Sequence, residues 1–168
     1  DTGDPFIWDL QPDNEGGVYI ATGNDGRVYH ITASGDSVLY FDVPELEVFA
    51  LCLDSRGVLY AATSPDGKVY RIPQKGTSSV AFDPAARYIW DLMIDDTDQI
   101  YVATGEPGMI FRLSSSGEST PLLNEALSHV RTMLLTRDNR LYAGSSQPGY
   151  VFRVMNDGSM FVVFDTQM

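Results

Sequence analysis

Cysteine is nearly absent from this chain of 168 residues, with one copy at Cys52, and histidine occurs only twice. One cysteine excludes a disulfide framework and a four-cysteine zinc centre. Basic residues are few as well: 11 Lys and Arg stand against 23 Asp and Glu, a net charge of −12. So acidic a chain is a poor binder of nucleic acid or of an anionic membrane surface. No apolar run approaches the ~20 residues that a membrane-spanning helix needs. Asn-x-Ser/Thr does not occur, so glycosylation gives no hint of compartment. The sequence starts at Asp1 without a basic-then-apolar leader. A processed secreted protein and an excised segment both fit that start, so a soluble secreted or periplasmic protein is one expectation and the compartment stays open.

What is abundant is turn formers and aromatics: 15 Gly, 9 Pro, 9 Tyr and 8 Phe. They recur with a period of 41 residues. Tyr19, Tyr60, Tyr101 and Tyr142 share one column, and Tyr29, Tyr70, Phe111 and Phe152 another. Gly26, Gly67, Gly108 and Gly149 keep the same step, as do Gly35, Gly76, Gly117 and Gly158. No insertion interrupts four periods. Each unit reads as four short strands; in the second they are Val48–Leu53, Val58–Thr63, Lys68–Ile72 and about Ser79–Phe82. Strands of about five residues separated by turns fit antiparallel β structure. The sites of Gly16, Gly57, Asp98 and Asn139 suit the positive φ of tight turns. Leu122, Leu123, Ala126, Leu127 and Val130 have partial helical spacing, but the repeat register puts Leu123 at a strand end and the others in a loop.

Four-stranded units of about 40 residues are the signature of propeller blades, whose apolar faces are covered only by stacking on neighbours. The expected fold is all-β, a propeller of four blades over residues 7–42, 48–83, 89–124 and 130–165. Four blades could close alone, belong to a longer propeller, or pair with a second chain into an eight-bladed ring, which is the expectation here. A finer alternation supports pairing. Units one and three share Ile7-Trp8-Asp9-Leu10 and Ile89-Trp90-Asp91-Leu92, and have Gly23 and Gly105 where units two and four have Ser64 and Ser146.

The segments from Val58 to Ile72 and from Ile100 to Leu113 resemble bacterial β-propeller repeats, nearest to the sensor propellers of two-component regulators and similar in period to WD40 blades. The resemblance covers all four units and implies a blade, not an activity. The WD40 signature itself is displaced: Trp8-Asp9 and Trp90-Asp91 open a first strand instead of ending a third.

Motifs with chemistry are mostly missing. His30 reads as a surface position in the column of Arg71, Arg112 and Arg153, which could pair with Asp42, Asp83 and Asp165. Asp95, Asp96 and Asp98 lack the Gly and distal Glu of a calcium loop. Cys52 replaces Gln11, Met93 and Leu134 and reads as a buried apolar residue. Repeated residues serve packing, so departures from the pattern mark a site. The first-strand entrance column holds Trp8, Phe49, Trp90 and Arg131, with Asp9, Asp91 and His129 nearby. These seven are the candidate ligand-binding residues, at an axial opening. No catalytic residue, metal ligand or cofactor is expected. The expected function is a non-enzymatic binding or scaffold module that self-associates and takes a protein or small-molecule ligand. The alternatives are a metal-assisted lyase or lactone hydrolase with an axial site, and an extracytoplasmic sensor segment.

Overall fold

A computed structural model describes residues 3–166. Every regular element among them is a β-strand. The first unit contains β1 (Phe6–Pro12), β2 (Val18–Gly23), β3 (Arg27–Ile31) and β4 (Ser37–Asp42). The second contains β5 (Glu47–Leu53), β6 (Leu59–Ser64), β7 (Gly67–Gln74) and β8 (Thr77–Ala86). The third contains β9 (Tyr88–Ile94), β10 (Ile100–Gly108), β11 (Ile110–Leu113) and β12 (Ser119–Pro121). The fourth contains β13 (Leu127–Leu135), β14 (Leu141–Ser146), β15 (Tyr150–Val154) and β16 (Met160–Asp165). Within each unit consecutive strands pair antiparallel.

The units join in two ways. Gly23 of β2 pairs with Glu47 of β5, and Gly105 of β10 with His129 of β13. These bridges fuse units one and two, and units three and four, into two eight-stranded sheets. Units two and three have no strand bridge; they pack together, and the Ser55 amide and hydroxyl donate to Asp98 across the joint at 2.9 and 2.6 Å. Both of these units have a neighbouring unit on each face, which is why β6 is buried from end to end and reads as Leu-Tyr-Ala-Ala-Thr-Ser, whereas β14 of the fourth unit is largely half-buried.

Apolar side chains gather at the three joints. Tyr19, Val28, Val48 and Leu59 lie in the first joint, Val69, Ile89 and Val102 in the second, and Ile110, Val130 and Phe152 in the third. Turn chemistry repeats along with the core. The hydroxyl of Thr22, Thr63, Thr104 or Ser145, buried in the three threonines and half-buried in the serine, accepts from the amide five residues on, closing the turn between second and third strands. At the opposite rim, Gly16, Gly57, Asp98 and Asn139 all adopt positive φ, the turn geometry their residue types permit.

Three sequence expectations need comment. Leu122 to Val130 is not helical, in agreement with the repeat register, but Leu127 and Val130 belong to β13 and not to a loop. The strand register also redirects the arginine column. Arg71 lies opposite Ser79, Arg112 opposite Thr120 and Arg153 opposite Phe161, whereas Asp42 lies opposite Arg27 and Asp165 opposite Tyr150. The arginine and aspartate columns thus sit at opposite ends of their strands, not opposite one another. Cys52 is buried in the second joint, and burial pushes its thiol pKa up, so it behaves as an apolar residue.

Candidate functional site

Each first strand is irregular at one place. The pairing register of β1 skips Trp8, that of β5 skips Phe49, that of β9 skips Trp90 and that of β13 skips Arg131. A β-bulge inserts one residue without a partner and re-aims its side chain, and bulges are frequent beside functional sites. Here the bulge falls at the same column in all four units. It collects the residues that the sequence marks as candidates.

The bulge side chains form one continuous strip. The rings of Trp8 and Phe49 are 5.4 Å apart and meet edge-on, and Phe49 and Trp90 are 4.8 Å apart. Arg131 ends the strip with its guanidinium 3.8 Å above Trp90. Flanking residues widen it: Phe6 stacks on Trp8 at 5.4 Å, and Tyr88 on Trp90 at 4.7 Å. Such ring pairs contribute ~0.5–1.5 kcal/mol each beyond burial, which favours this arrangement of the strip.

A polar rim follows it. The Trp8 indole N–H donates to Glu47 Oε2 at 2.6 Å, and the Trp90 indole N–H to His129 Nδ1 at 3.2 Å. Glu106 lies between two cations or potential cations, 3.3 Å from Arg87 Nη1 and 3.8 Å from His129 Nε2. Arg131 Nε donates to Ser146 Oγ. With Nδ1 accepting from Trp90, neutral His129 carries its hydrogen on Nε2, directed at Glu106. Burial, helped by the nearby Arg131 charge, lowers the His129 pKa, so the ring is neutral at pH 7. The glycines at 23 and 105 now have a reason: a Cβ at either would run into both the indole nitrogen and its acceptor. Units two and four lack the tryptophan and carry serine instead.

Asp9 and Asp91 stand one residue past the bulges but turn away from the strip. Asp9 Oδ2 accepts from the Leu51 amide at 2.7 Å, and Asp91 Oδ2 from the Met133 amide at 2.6 Å. Each carboxylate fastens one first strand to the next. Burial pushes the Asp91 pKa up to about 6, and the Asp9 charge adds to the rise. The structure therefore brings Trp8, Phe49, Trp90, Arg131 and His129 together, and gives Asp9 and Asp91 to the joints. Phe6 and Glu106 belong to the strip and its rim as well. The 6, 47, 88 and 129 column, which reads Phe, Glu, Tyr and His, is the sequence signal for the rim.

The strip is an open surface. A cleft of about 570 Å³ between units two and three adjoins it and shares Arg87 and Glu106. Other clefts lie away from the strip, including one of about 490 Å³ lined by Tyr101, Arg112, Asn124 and Leu135. Among the described residues no group of three or more His, Cys, Asp or Glu is placed to hold a metal ion. His30 Nε2 lies 2.7 Å from Asp13 Oδ2 and its ring stacks on Tyr19, which makes it part of a turn.

No protein-family profile matches the chain, and no curated protein does. Solved structures do. A virginiamycin B lyase from Staphylococcus aureus is similar with a TM-score of 0.85 and 16% identity, over 99% of this chain and 58% of that one. A streptogramin B lyase follows with a TM-score of 0.80 and 18% identity, over 95% and 54%. A chain of the nidogen–laminin complex has a TM-score of 0.76 and 15% identity, over 90% and 60%. The chain spans little more than half the length of these structures. At such identities the likeness establishes the fold, a β-propeller with blades formed by the four-stranded units.

Proposed function

We propose that this chain is a non-enzymatic β-propeller binding module that takes its ligand on the bulge strip. One observation carries the reading: four equivalent bulges aim Trp8, Phe49, Trp90 and Arg131 into one surface instead of into the joints. A row of rings with charged groups along its edge suits a partner that offers planar or apolar groups flanked by polar ones, such as an aromatic-rich peptide segment. The open shape favours an extended partner over an enclosed small molecule.

The lyase reading draws on the fold of the neighbours. Its best local chemistry is His129 beside Glu106. A general base needs an available nitrogen lone pair, and in His129 Nδ1 accepts from Trp90 while the Nε2 hydrogen faces Glu106. That arrangement favours binding over proton abstraction.

Trp8 and Trp90 are the only tryptophans, so the protein's indole emission reports on the strip. Panning a phage-displayed peptide library against the native chain and a Trp8→Ala/Trp90→Ala variant tests the proposal. The expected result is enrichment of aromatic-rich peptides that bind the native chain alone and shift its emission. Failure to enrich any peptide that distinguishes the two would overturn it, as would turnover by the native chain of quinupristin, the compound present in a structure of an inactive virginiamycin B lyase of similar fold.

A further inference from the structure

The four blades of the described residues make three joints and leave two outer faces, and these faces carry the residues that build the joints. In one column Val48, Ile89 and Val130 are fully buried, whereas Ile7 is 58% exposed. In another Leu51, Leu92 and Met133 are buried, and Leu10 is 58% exposed. These two mark the open face of the first blade. On the fourth blade the pattern reverses: Val28, Val69 and Ile110 are buried, and Val151 is 42% exposed. Leu134 is 61% exposed where Cys52 is buried. Single exposed apolar residues are ordinary, but two faces of matched columns are not.

The joints also alternate in kind, and the alternation selects what covers these faces. From blade one to two, and from three to four, a joint has a strand bridge, a tryptophan N–H bond and an aspartate bonded to the next first strand. The joint from two to three has none of these, because Phe49, Ala50 and Ser64 replace Trp, Asp and Gly. Blade four carries Arg131, Thr132 and Ser146 at those positions, so its open face is of the blade-two kind. Such a face meets a blade beginning Ile-Trp-Asp-Leu, as Ile89 to Leu92 shows. Blade one begins with the same four residues, Ile7 to Leu10.

We infer that a second copy of this chain covers both faces, blade four of each copy packing on blade one of the other. Two copies related by a two-fold axis repeat the apolar packing of the blade-two to blade-three joint twice, with Arg137 and Gly16 in place of its Ser55–Asp98 hydrogen bonds, and close an eight-bladed ring. The closed ring sets Trp8 of one copy beside Arg131 of the other, so the bulge strip becomes a continuous belt with residues from both. The charge on Arg131 stands where Phe49 meets Trp90 in the internal joint, and a guanidinium over an indole keeps that contact attractive.

Light scattering on the purified 168-residue chain tests the inference. The expected mass is twice 18.5 kDa. Ile7→Asp and Val151→Asp, on opposite faces, should each lower it to that of one chain with the far-ultraviolet dichroism unchanged. Leu46→Asp, exposed on the loop between β4 and β5, should leave the mass as it is. Mixing the two dissociated variants should restore part of the dimer, since one intact joint can form, and an unfolded variant would not rescue its partner. A native chain with the mass of one copy would overturn the inference. So would dissociation by only one of the two face variants, or a mass that grows with concentration beyond two chains. These masses do not depend on the ligand, so they fail or succeed apart from the binding proposal.

Discussion

Replacing Asp91 by Asn isolates the cost of a buried carboxylate in a joint. The native side chain accepts from the Met133 amide, and burial pushes its pKa from 3.8 up to about 6. A raised carboxylate pKa means that the folded protein keeps the proton between these values while the unfolded chain releases it. Stability from this group is therefore fully present below 3.8, falls as pH rises towards about 6, and stays reduced above it. At 1.36 kcal/mol for each unit of difference, the ionised form costs about 3 kcal/mol, and reorganisation around Thr132 and Leu92 brings the expected effect down to roughly 1–2 kcal/mol. An Asn keeps an oxygen for the Met133 amide and carries no charge. Asp91→Asn should therefore stabilise the protein by roughly 1–2 kcal/mol at about pH 7 and match it at about pH 3. Urea unfolding of both proteins at the two pH values measures the double difference. That difference cancels Asp13, Asp95, Asp98, Asp138 and Asp157, whose hydrogen bonds hold them below the usual range and which lose stabilisation in acid. A variant less stable than native at pH 7, with an unchanged pH dependence, would refute the reasoning: the ionised carboxylate would then be a net gain to the joint.

Three further substitutions test the strip and the turns. Gly105→Ala places a methyl group against the Trp90 indole nitrogen and His129, and should cost about 1–3 kcal/mol and alter Trp90 emission; denaturant unfolding followed by fluorescence reads both. Thr104→Val leaves the Met109 amide without its buried acceptor and should cost about 1–3 kcal/mol by thermal or urea unfolding. Arg131→Ala removes the guanidinium over Trp90, for about 0.5–1 kcal/mol. It should also raise the His129 pKa, yet leave it below the ordinary histidine value because burial is the larger cause; ring-proton NMR across a pH series measures that shift.

The fold was legible because the repeat is strict. One correct register for the second unit placed strands in all four, and the register outweighed the helical spacing around Leu123. The side chains were legible where a column broke its pattern: Trp8, Phe49, Trp90 and Arg131 differ from one another while their neighbours repeat. What the sequence does not display is strand register. The period is the same whether Arg71 faces Asp83 or Ser79, and only the pairing of β7 with β8 separates them by half a strand. The bulge is hidden for the same reason. It is a change in hydrogen-bond partner with no residue type of its own, so Trp8 reads as strand although its side chain leaves the strand's alternation. Asp9 and Asp91 read as site residues because each follows a tryptophan of the entrance column. Their partners are backbone amides, which every residue has and no sequence pattern reveals.

Burial also decides which columns change together. Glu45 is buried between blades, where Oε1 accepts from Lys68 Nζ at 3.2 Å and from the Tyr70 hydroxyl at 3.0 Å. The first blade repeats the set with Asp4, Arg27 and Tyr29, Arg27 lying 3.2 Å from Asp4. Where the acid column holds Ala86 or Leu127, the base column holds Met109 or Tyr150 and the tyrosine column Phe111 or Phe152. Breaking a buried ion pair by removing one partner leaves a desolvated charge and costs about 3–5 kcal/mol, whereas replacing all partners by apolar groups is often neutral. Lys68→Met alone should therefore destabilise by about 2–4 kcal/mol, since Lys68 keeps part of its hydration and Glu45 does not. The triple change Glu45→Ala/Lys68→Met/Tyr70→Phe copies the third blade and should fall within about 1 kcal/mol of native stability. Urea midpoints of the single and triple variants decide the matter. A triple variant as unstable as the sum of its single changes would mean that the three columns vary independently, and that the charge pair is not what ties them.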